Sequence, residues 1–151
     1  MIRRVERRDA DEWLRMRQSL WPEGSREEHL SEMAEYWSCE GRLATFVAER
    51  AEDGLGGVLE ASLRPLVEGC ESCPVGYSEG WYVDPDLRRE GIGRELVHAA
   101  EAWAMAQGCR EMASDCLIDN ELSFQAHLAL GYVETERLIH FKKPLASDGE
   151  S

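Results

Sequence analysis

No stretch of this chain approaches the roughly 20 consecutive apolar residues that span a bilayer. The opening MIRRVERRDADEW also lacks the apolar run of a secretory signal, so a soluble, cytoplasmic protein is expected. Basic residues are scarce beside acidic ones: 17 Lys and Arg against 30 Asp and Glu give a formal net charge of -13. That balance opposes nucleic acid or anionic lipid, both of which require a basic face, and suits a cationic partner if a site can use it. Only one close cysteine pair occurs, Cys70 and Cys73, with Cys39, Cys109 and Cys116 scattered. With no second pair at similar spacing, and Pro74 rather than a helix behind it, no structural zinc site or redox motif is expected and the thiols read as reduced. The sequence contains no GxxxxGK[ST] and no GxGxxG, so the usual signatures of nucleotide hydrolysis and dinucleotide binding are missing. There is no internal repeat.

What is present suffices for one core: 151 residues, 43% hydrophobic, with five tryptophans. One domain over residues 1–145 is expected, with 146–151 a disordered tail. Ile2 to Val5 reads as a short strand. Behind Asp9 as a cap, Ala10, Trp13, Met16 and Leu20 recur at helical spacing, and the helix ends near Trp21-Pro22. Ser25 caps a second helix that carries Leu30, Met33, Ala34 and Trp37 on one face. LATFVAE (43–49) and GVLEASLRPL (57–66) flank the turn-rich EDGLG, as in an antiparallel hairpin. GYSEGWYVD (76–84) reads as a third long strand, in which Gly80 marks a bulge or a close ligand approach. A helix over 91–107 stopped by Gly108, a short strand at 111–116, a helix from 119 or 120 to Leu130 and a strand region over 132–141 complete the pattern.

The most informative segment runs from Trp81 to Arg94: a strand, a turn, then a helix whose first turn holds Gly91 and Gly93. Glycines there let backbone N–H groups approach an anion, and the helix dipole adds favourable partial charge. Arg88, Arg89 and Arg94 place cations at the same end, so a pyrophosphate fits.

Strand, then Val-Asp-Pro-x-x-Arg-Arg-x-Gly-Ile-Gly, then helix resembles the coenzyme A motif of the GNAT superfamily of N-acetyltransferases. The resemblance implies an α/β (α+β) fold with a mixed, mostly antiparallel central sheet flanked by about four helices, and acetyl-CoA as co-substrate without a metal. It also implies that the strand before the turn splays from its neighbour, so that Trp81, Tyr82 and Val83 offer backbone to the pantetheine arm. The backbone of the segment Arg88, Arg89, Glu90, Gly91, Ile92, Gly93 and Arg94 would then hold the pyrophosphate.

A narrower resemblance, to the aminoglycoside 6'-N-acetyltransferases, is carried in order by Leu20-Trp21-Pro22, Leu59-Glu60-Ala61-Ser62, Pro74-Val75-Gly76 with Glu79-Gly80, Ala113-Ser114-Asp115 and Leu130 to Arg137. It implies acetylation of a cationic aminoglycoside by a homodimer joined through its C-terminal strands. Such a substrate needs carboxylates to bind its ammonium groups and to remove a proton before the amine attacks a thioester. Glu79, on the strand leading to the phosphate turn, and Asp115, at the end of the next strand, are the leading candidates. Period-two spacing puts Glu136 with Glu134 on one strand face, where Glu136 would extend the acidic site. Trp21 would stack on a sugar ring or belong to the core. Many superfamily members place a Tyr four residues before the Gly of the final Leu-Gly-aromatic motif, and here that position is His127. The general acid is therefore His127, a water, or absent, with His127 otherwise a packing residue. Asn120 would cap its helix or hydrogen-bond the pantetheine arm. Two other readings stand beside this one: a GNAT enzyme for another amine, such as a polyamine or a protein N-terminus, and a noncatalytic module that senses coenzyme A.

Overall fold

The computed structural model describes residues 1–146; the expected tail falls, apart from Ala146, outside the described residues. These divide into two compact units, Met1–Cys116 and the residues from Leu117 onward.

The first unit is built on five strands in sequence order: β1 (Ile2–Arg4), β2 (Leu43–Glu49), β3 (Leu55–Arg64), β4 (Val75–Val83) and β5 (Met112–Ser114). The first four pair antiparallel, and β5 adds to β4 in parallel. Three helices accompany them: α1 (Ala10–Leu20), α2 (Arg26–Tyr36) and α3 (Ile92–Ala106). The mixed, mostly antiparallel sheet is thus the one expected.

Alternation along β3 assigns the helices to faces. A Cβ on Gly57 would meet Leu96 and Ile92 of α3, whereas its neighbour Val58 packs with Trp13, Leu14 and Met16 of α1. Successive strand residues point to opposite sides, so α3 covers one face of the sheet and α1 the other. Trp13, Met16, Leu59 and Leu96 are fully buried, and burying each is worth about 1.5–3 kcal/mol relative to exposure.

Local signals fared unevenly. Ser25 closes a capping box with Glu28 at the start of α2, as its sequence implies. Asp9 precedes α1 but makes no side-chain cap; its carboxylate instead takes the Arg3 guanidinium and the Glu6 N–H. Fixing β1 to the start of α1 with a charged pair outcompeted the single capping bond.

The second unit contains α4 (Glu121–Ala129), capped by Asn120, whose Oδ1 accepts from Ser123 N at 3.1 Å. The strand expected over 132–141 does not form: residues 132–146 carry no helix or strand. Alternating side chains define a strand only when its backbone finds a ladder partner, and the sheet of the described residues contains five strands, none from this stretch. No helix among the described residues is long and apolar enough to cross a membrane.

Candidate functional site

The site begins with an irregularity in β4. Gly80 pairs with Glu60 and Ser78 with Ala61, which leaves Glu79 as an extra residue, a β-bulge. The bulge lies one position from Gly80, where the sequence marks it. Its geometric effect is to exchange the two faces of the strand. Before it, Gly76 faces α3, where a Cβ would lie 2.7 Å from Ala104 Cβ; after it, Gly80 faces the other way, and a Cβ would lie 2.4 Å from the Trp21 ring. Trp81 consequently turns toward α3, and its Nε1 donates to Gly93 O at 3.2 Å.

Glu79 lies on the α1 face. Its carboxylate accepts a two-pronged bond from Arg64, Nε to Oε2 at 3.0 Å and Nη2 to Oε1 at 2.7 Å, and a third from Ser62 Oγ at 2.5 Å. The Arg64 guanidinium lies over the Tyr77 ring at 3.6 Å, and the Tyr77 hydroxyl donates to Asp115 Oδ2 at 2.5 Å. The two carboxylates singled out by sequence are therefore joined in one cluster through Arg64 and Tyr77. Glu79 beside it raises the Arg64 guanidinium pKa, while burial, followed by the bond to Asp115, pushes the Tyr77 hydroxyl well above the usual phenol range. Both remain donors at neutral pH.

Trp21 closes α1, its N–H bonded to Arg17 O, with its ring against Gly80. Behind it stands a buried polar group. Arg17, 3% exposed, lies 4.8 Å from the Trp21 ring and donates to both Glu60 oxygens, to Glu32 and to His29 Nδ1. His29 Nε2 lies 3.1 Å from Trp21 O, which fixes the tautomer with its proton there. Beside this group is a small cleft of about 50 Å³ lined by Glu32, Glu60 and Glu79 with Trp13 and Tyr36. A larger cavity of about 390 Å³ lies by Arg3, Asp9, Glu49 and Arg50. It is at the β1 side of the sheet, away from Asp115 and β5, and its walls are internal ion pairs such as Arg3–Asp9 and Arg3–Glu49.

The turn expected to hold phosphate follows β4. Pairing between β4 and β5 stops at Ser78, opposite Ser114 where β5 ends, and β4 continues to Val83 beyond it. Pro85–Leu87 forms a 3-10 turn. It is anchored by Asp84, whose carboxylate takes bonds from Arg15 and Arg50. Burial would raise the Asp84 pKa, but those two guanidinium groups hold it below the usual carboxylate range. Arg89 and Gly91 then adopt positive φ, 69° and 88°, before α3 begins. Gly91 is the N-cap, and Glu95 N already bonds its carbonyl at 3.0 Å. The N–H groups of Ile92, Gly93 and Arg94 lie in the first turn, where a helix supplies no intrahelical acceptor, a donor set suited to an anion. Arg88 folds back instead, its Nε donating to Val83 O at 2.9 Å and its guanidinium near the Tyr82 ring.

The remaining candidates belong to the second unit. Asn120 caps α4, as described above. The half-buried His127 donates from Nδ1 to Ser123 O at 2.7 Å and meets Tyr132 edge to face. With the proton on Nδ1, a neutral ring has only an acceptor at Nε2, so His127 donates a proton to a thiolate only as the cation. Glu134 pairs with Arg137, and the exposed Glu136 lies in a segment that is not a strand, so the period-two argument for a shared face does not apply there. Among the described residues no group of three or more His, Cys, Asp or Glu is arranged to hold a metal, and all five cysteines are free thiols.

Arg64 and Tyr77 are absent from the sequence-based candidates. A signal existed: Ser62 and Arg64 share one face of β3 by period two, as do Tyr77 and Glu79 of β4. Bringing the pairs together required the β3–β4 register, which no local pattern supplies.

The model of the acetyltransferase (GNAT) family matches residues 11–132. An aminoglycoside N(6')-acetyltransferase type 1 of Klebsiella aerogenes is 46% identical over 147 residues, 96% of this chain and 97% of the relative. One of Stenotrophomonas maltophilia is 40% identical over 95% of this chain and 93% of its own. Among solved structures, AAC(6')-Iy in complex with the bisubstrate analog CoA-S-monomethyl-acetylneamine superposes with a TM-score of 0.89 at 37% identity, covering 95% of this chain and 97% of that one.

Proposed function

The chain belongs to the acetyltransferase (GNAT) family, and we propose that it transfers the acetyl group of acetyl-CoA to the 6'-amine of aminoglycoside antibiotics, conferring resistance to them. The observation that carries the acceptor half is the linked cluster of Glu79 and Asp115 on the α1 face, beside the point where β5 leaves β4. It offers two carboxylates to a polycation in a chain whose overall charge already attracts one.

The acetyl-CoA half is supported by the positive φ of Arg89 and Gly91 and by the first turn of α3, which suit a pyrophosphate. The backbone of Trp81, Tyr82 and Val83 runs where the sheet opens, and its polar groups suit the pantetheine amides. In the reaction the acceptor nitrogen forms a bond to the thioester carbonyl carbon and the carbon–sulfur bond breaks. Glu79 holds a substrate ammonium, and Asp115 receives the proton of the attacking amine directly or through a water. Trp21, braced by Arg17, forms a flat wall for a sugar ring. His127 as the cation, or a water, protonates the departing thiolate; Asn120 and Glu136 are the further cofactor and substrate contacts.

We also propose that residues 1–145 act as one catalytic domain, that the protein works in the cytoplasm, where acetyl-CoA is found, and that it does so as a homodimer. The dimer is supported by the side chains of Val133, Leu138, Ile139 and Phe141, which are 61–90% exposed in this chain, an apolar set that association would cover.

The test is thiol release from acetyl-CoA with kanamycin or tobramycin as acceptor. Turnover with the acetyl group on the 6'-nitrogen is expected, with a large loss of kcat in Asp115→Asn and retained binding. No turnover with any aminoglycoside, or a higher kcat/KM for polyamines, overturns the substrate reading. Light scattering at assay concentration reads the dimer.

A further inference from the structure

We infer that Arg64 is a built-in counter-ion of Glu79 that a cationic acceptor displaces, so that Arg64 sets the threshold a substrate ammonium must exceed to occupy the site. This deepens the acceptor reading above and rests on it.

Three observations converge. Arg64 occupies both Glu79 oxygens with its parallel Nε and Nη2 donors, and Ser62 takes a further lone pair on Oε2. A carboxylate offers about four lone-pair sites, so an arriving ammonium meets an acceptor that is already largely used. The guanidinium also lies flat on Tyr77, the residue whose hydroxyl holds Asp115. A fixed positive charge therefore stands between the two carboxylates best placed to receive a substrate cation, and it has the same chemistry as that cation: a protonated nitrogen donating to Glu79.

The pair is also poised to open. The Arg64 side chain is 42% exposed and that of Glu79 34%. Ion pairs this wet hold weakly, because water and salt compensate each partner on separation. By contrast, the Arg17–Glu60 pair nearby is nearly sealed from solvent and belongs to the framework. A substrate with several ammonium groups can pull Glu79 away from Arg64, whereas a singly charged amine gains less from the exchange. Arg64 thereby selects for polycations as well as closing the acidic site when no substrate is bound.

The experiment compares steady-state constants of the parent protein, Arg64→Met and Arg64→Lys, with kanamycin as acceptor. Methionine keeps a long apolar stem on Tyr77 and removes the charge; lysine keeps the charge and loses the fork. The aminoglycoside KM is expected to fall about 2- to 5-fold in Arg64→Met, the range of a single exposed ion pair, with the acetyl-CoA KM unchanged. Arg64→Lys should lie between Arg64→Met and the parent. An aminoglycoside KM that is unchanged or raised in Arg64→Met, with the parent active, overturns this inference alone and leaves the proposed function standing. Absence of turnover in the parent overturns both. A role limited to stability would lower the unfolding midpoint of Arg64→Met without lowering KM, and that outcome also overturns the inference.

Discussion

Replacing Glu60 with alanine should be among the single changes most damaging to stability. Arg17 Nη1 donates to the Glu60 oxygens at 2.6 and 2.5 Å, and Trp13 Nε1 donates to Oε2 at 2.8 Å. Trp13 is 2% exposed and Arg17 3%, so water does not readily replace the lost carboxylate. Removing one partner of a buried ion pair costs about 3–5 kcal/mol, and stranding a buried N–H costs about 1–3 kcal/mol. Glu32 and His29 still accept from Arg17, and the two penalties share one site, so they overlap. The net expectation is about 3–4 kcal/mol, which at about 2–4 °C per kcal/mol for a chain of this length lowers the unfolding midpoint by about 6–16 °C. Thermal unfolding followed by circular dichroism at pH 7 measures it. Glu60→Gln, which keeps an oxygen for both donors, should lose less than half as much. Arg17→Met combined with Glu60→Leu should recover part of the loss, because no charge is then left buried without its partner. A midpoint for Glu60→Ala within about 2 °C of the parent, or a double variant less stable than the single one, would refute this account of Arg17 as a charge held in place by Glu60.

Tyr77→Phe should lower kcat about 10- to 100-fold with little change in unfolding midpoint, the loss of one hydrogen bond to a charged group; unchanged kcat would show that Asp115 does not depend on the hydroxyl. Gly91→Ala forces an L side chain to hold a φ of 88°, which should cost about 1–2 kcal/mol of stability and raise the acetyl-CoA KM; equal constants in steady-state assays would count against the turn as the cofactor site. Asp9, bonded to Arg3, and Asp84, bonded to Arg15 and Arg50, have folded-state pKa values below the ordinary one. Their stabilisation is therefore complete above the unfolded value of about 4 and is lost as pH falls through the lower folded values. Unfolding midpoints should hold from pH 7 to 5 and drop below about pH 4, and a constant midpoint down to pH 3 would contradict the sign.

Much of the fold was legible because its signals are local. The capping box at Ser25 and Glu28, the helical spacing from Ile92 to Ala104 and the turn between β2 and β3 each lie within a few residues of chain. The strand misread over 132–141 fails for the complementary reason. Its apolar spacing is real, but a strand exists only with a partner, and that is a property of the whole fold or assembly. The candidate site divides in the same way. Gly91 and Gly93 marked a candidate phosphate turn only together with the strand–turn–helix order and the flanking arginines, and Glu79 and Asp115 became candidates through the resemblance to the aminoglycoside 6'-N-acetyltransferases. Arg64 and Tyr77 fell within expected strands without standing out, because their roles arise only once β3 and β4 are in register. Arg88 shows the limit of counting charges: it belongs to the cationic turn in sequence, yet it turns back to Val83.

Under the proposed function, the bulge at Glu79 would let one strand serve both substrates. Were the same residues paired in unbroken alternation, β4 would keep Trp81 on the same face as Tyr77 and Glu79 and would turn Gly80 toward α3. The slip of one position reverses the faces beyond Glu79. Gly80 then lies against Trp21, where a side chain would not fit, and Trp81 reaches the first turn of α3 to bond Gly93. The groups proposed for the acceptor side, Tyr77, Glu79 and Trp21, therefore collect on the α1 face, while Trp81, two residues beyond Glu79, braces the turn before α3 behind the other. Deleting Glu79 would restore regular pairing without turning its neighbours: Ser78 would still pair with Ala61 and Gly80 with Glu60, so Trp81 would keep facing α3 and its bond to Gly93. The carboxylate would be lost while the brace on the turn remained, so the aminoglycoside KM should rise with the acetyl-CoA KM kept, and a joint loss of both would refute this account of the bulge.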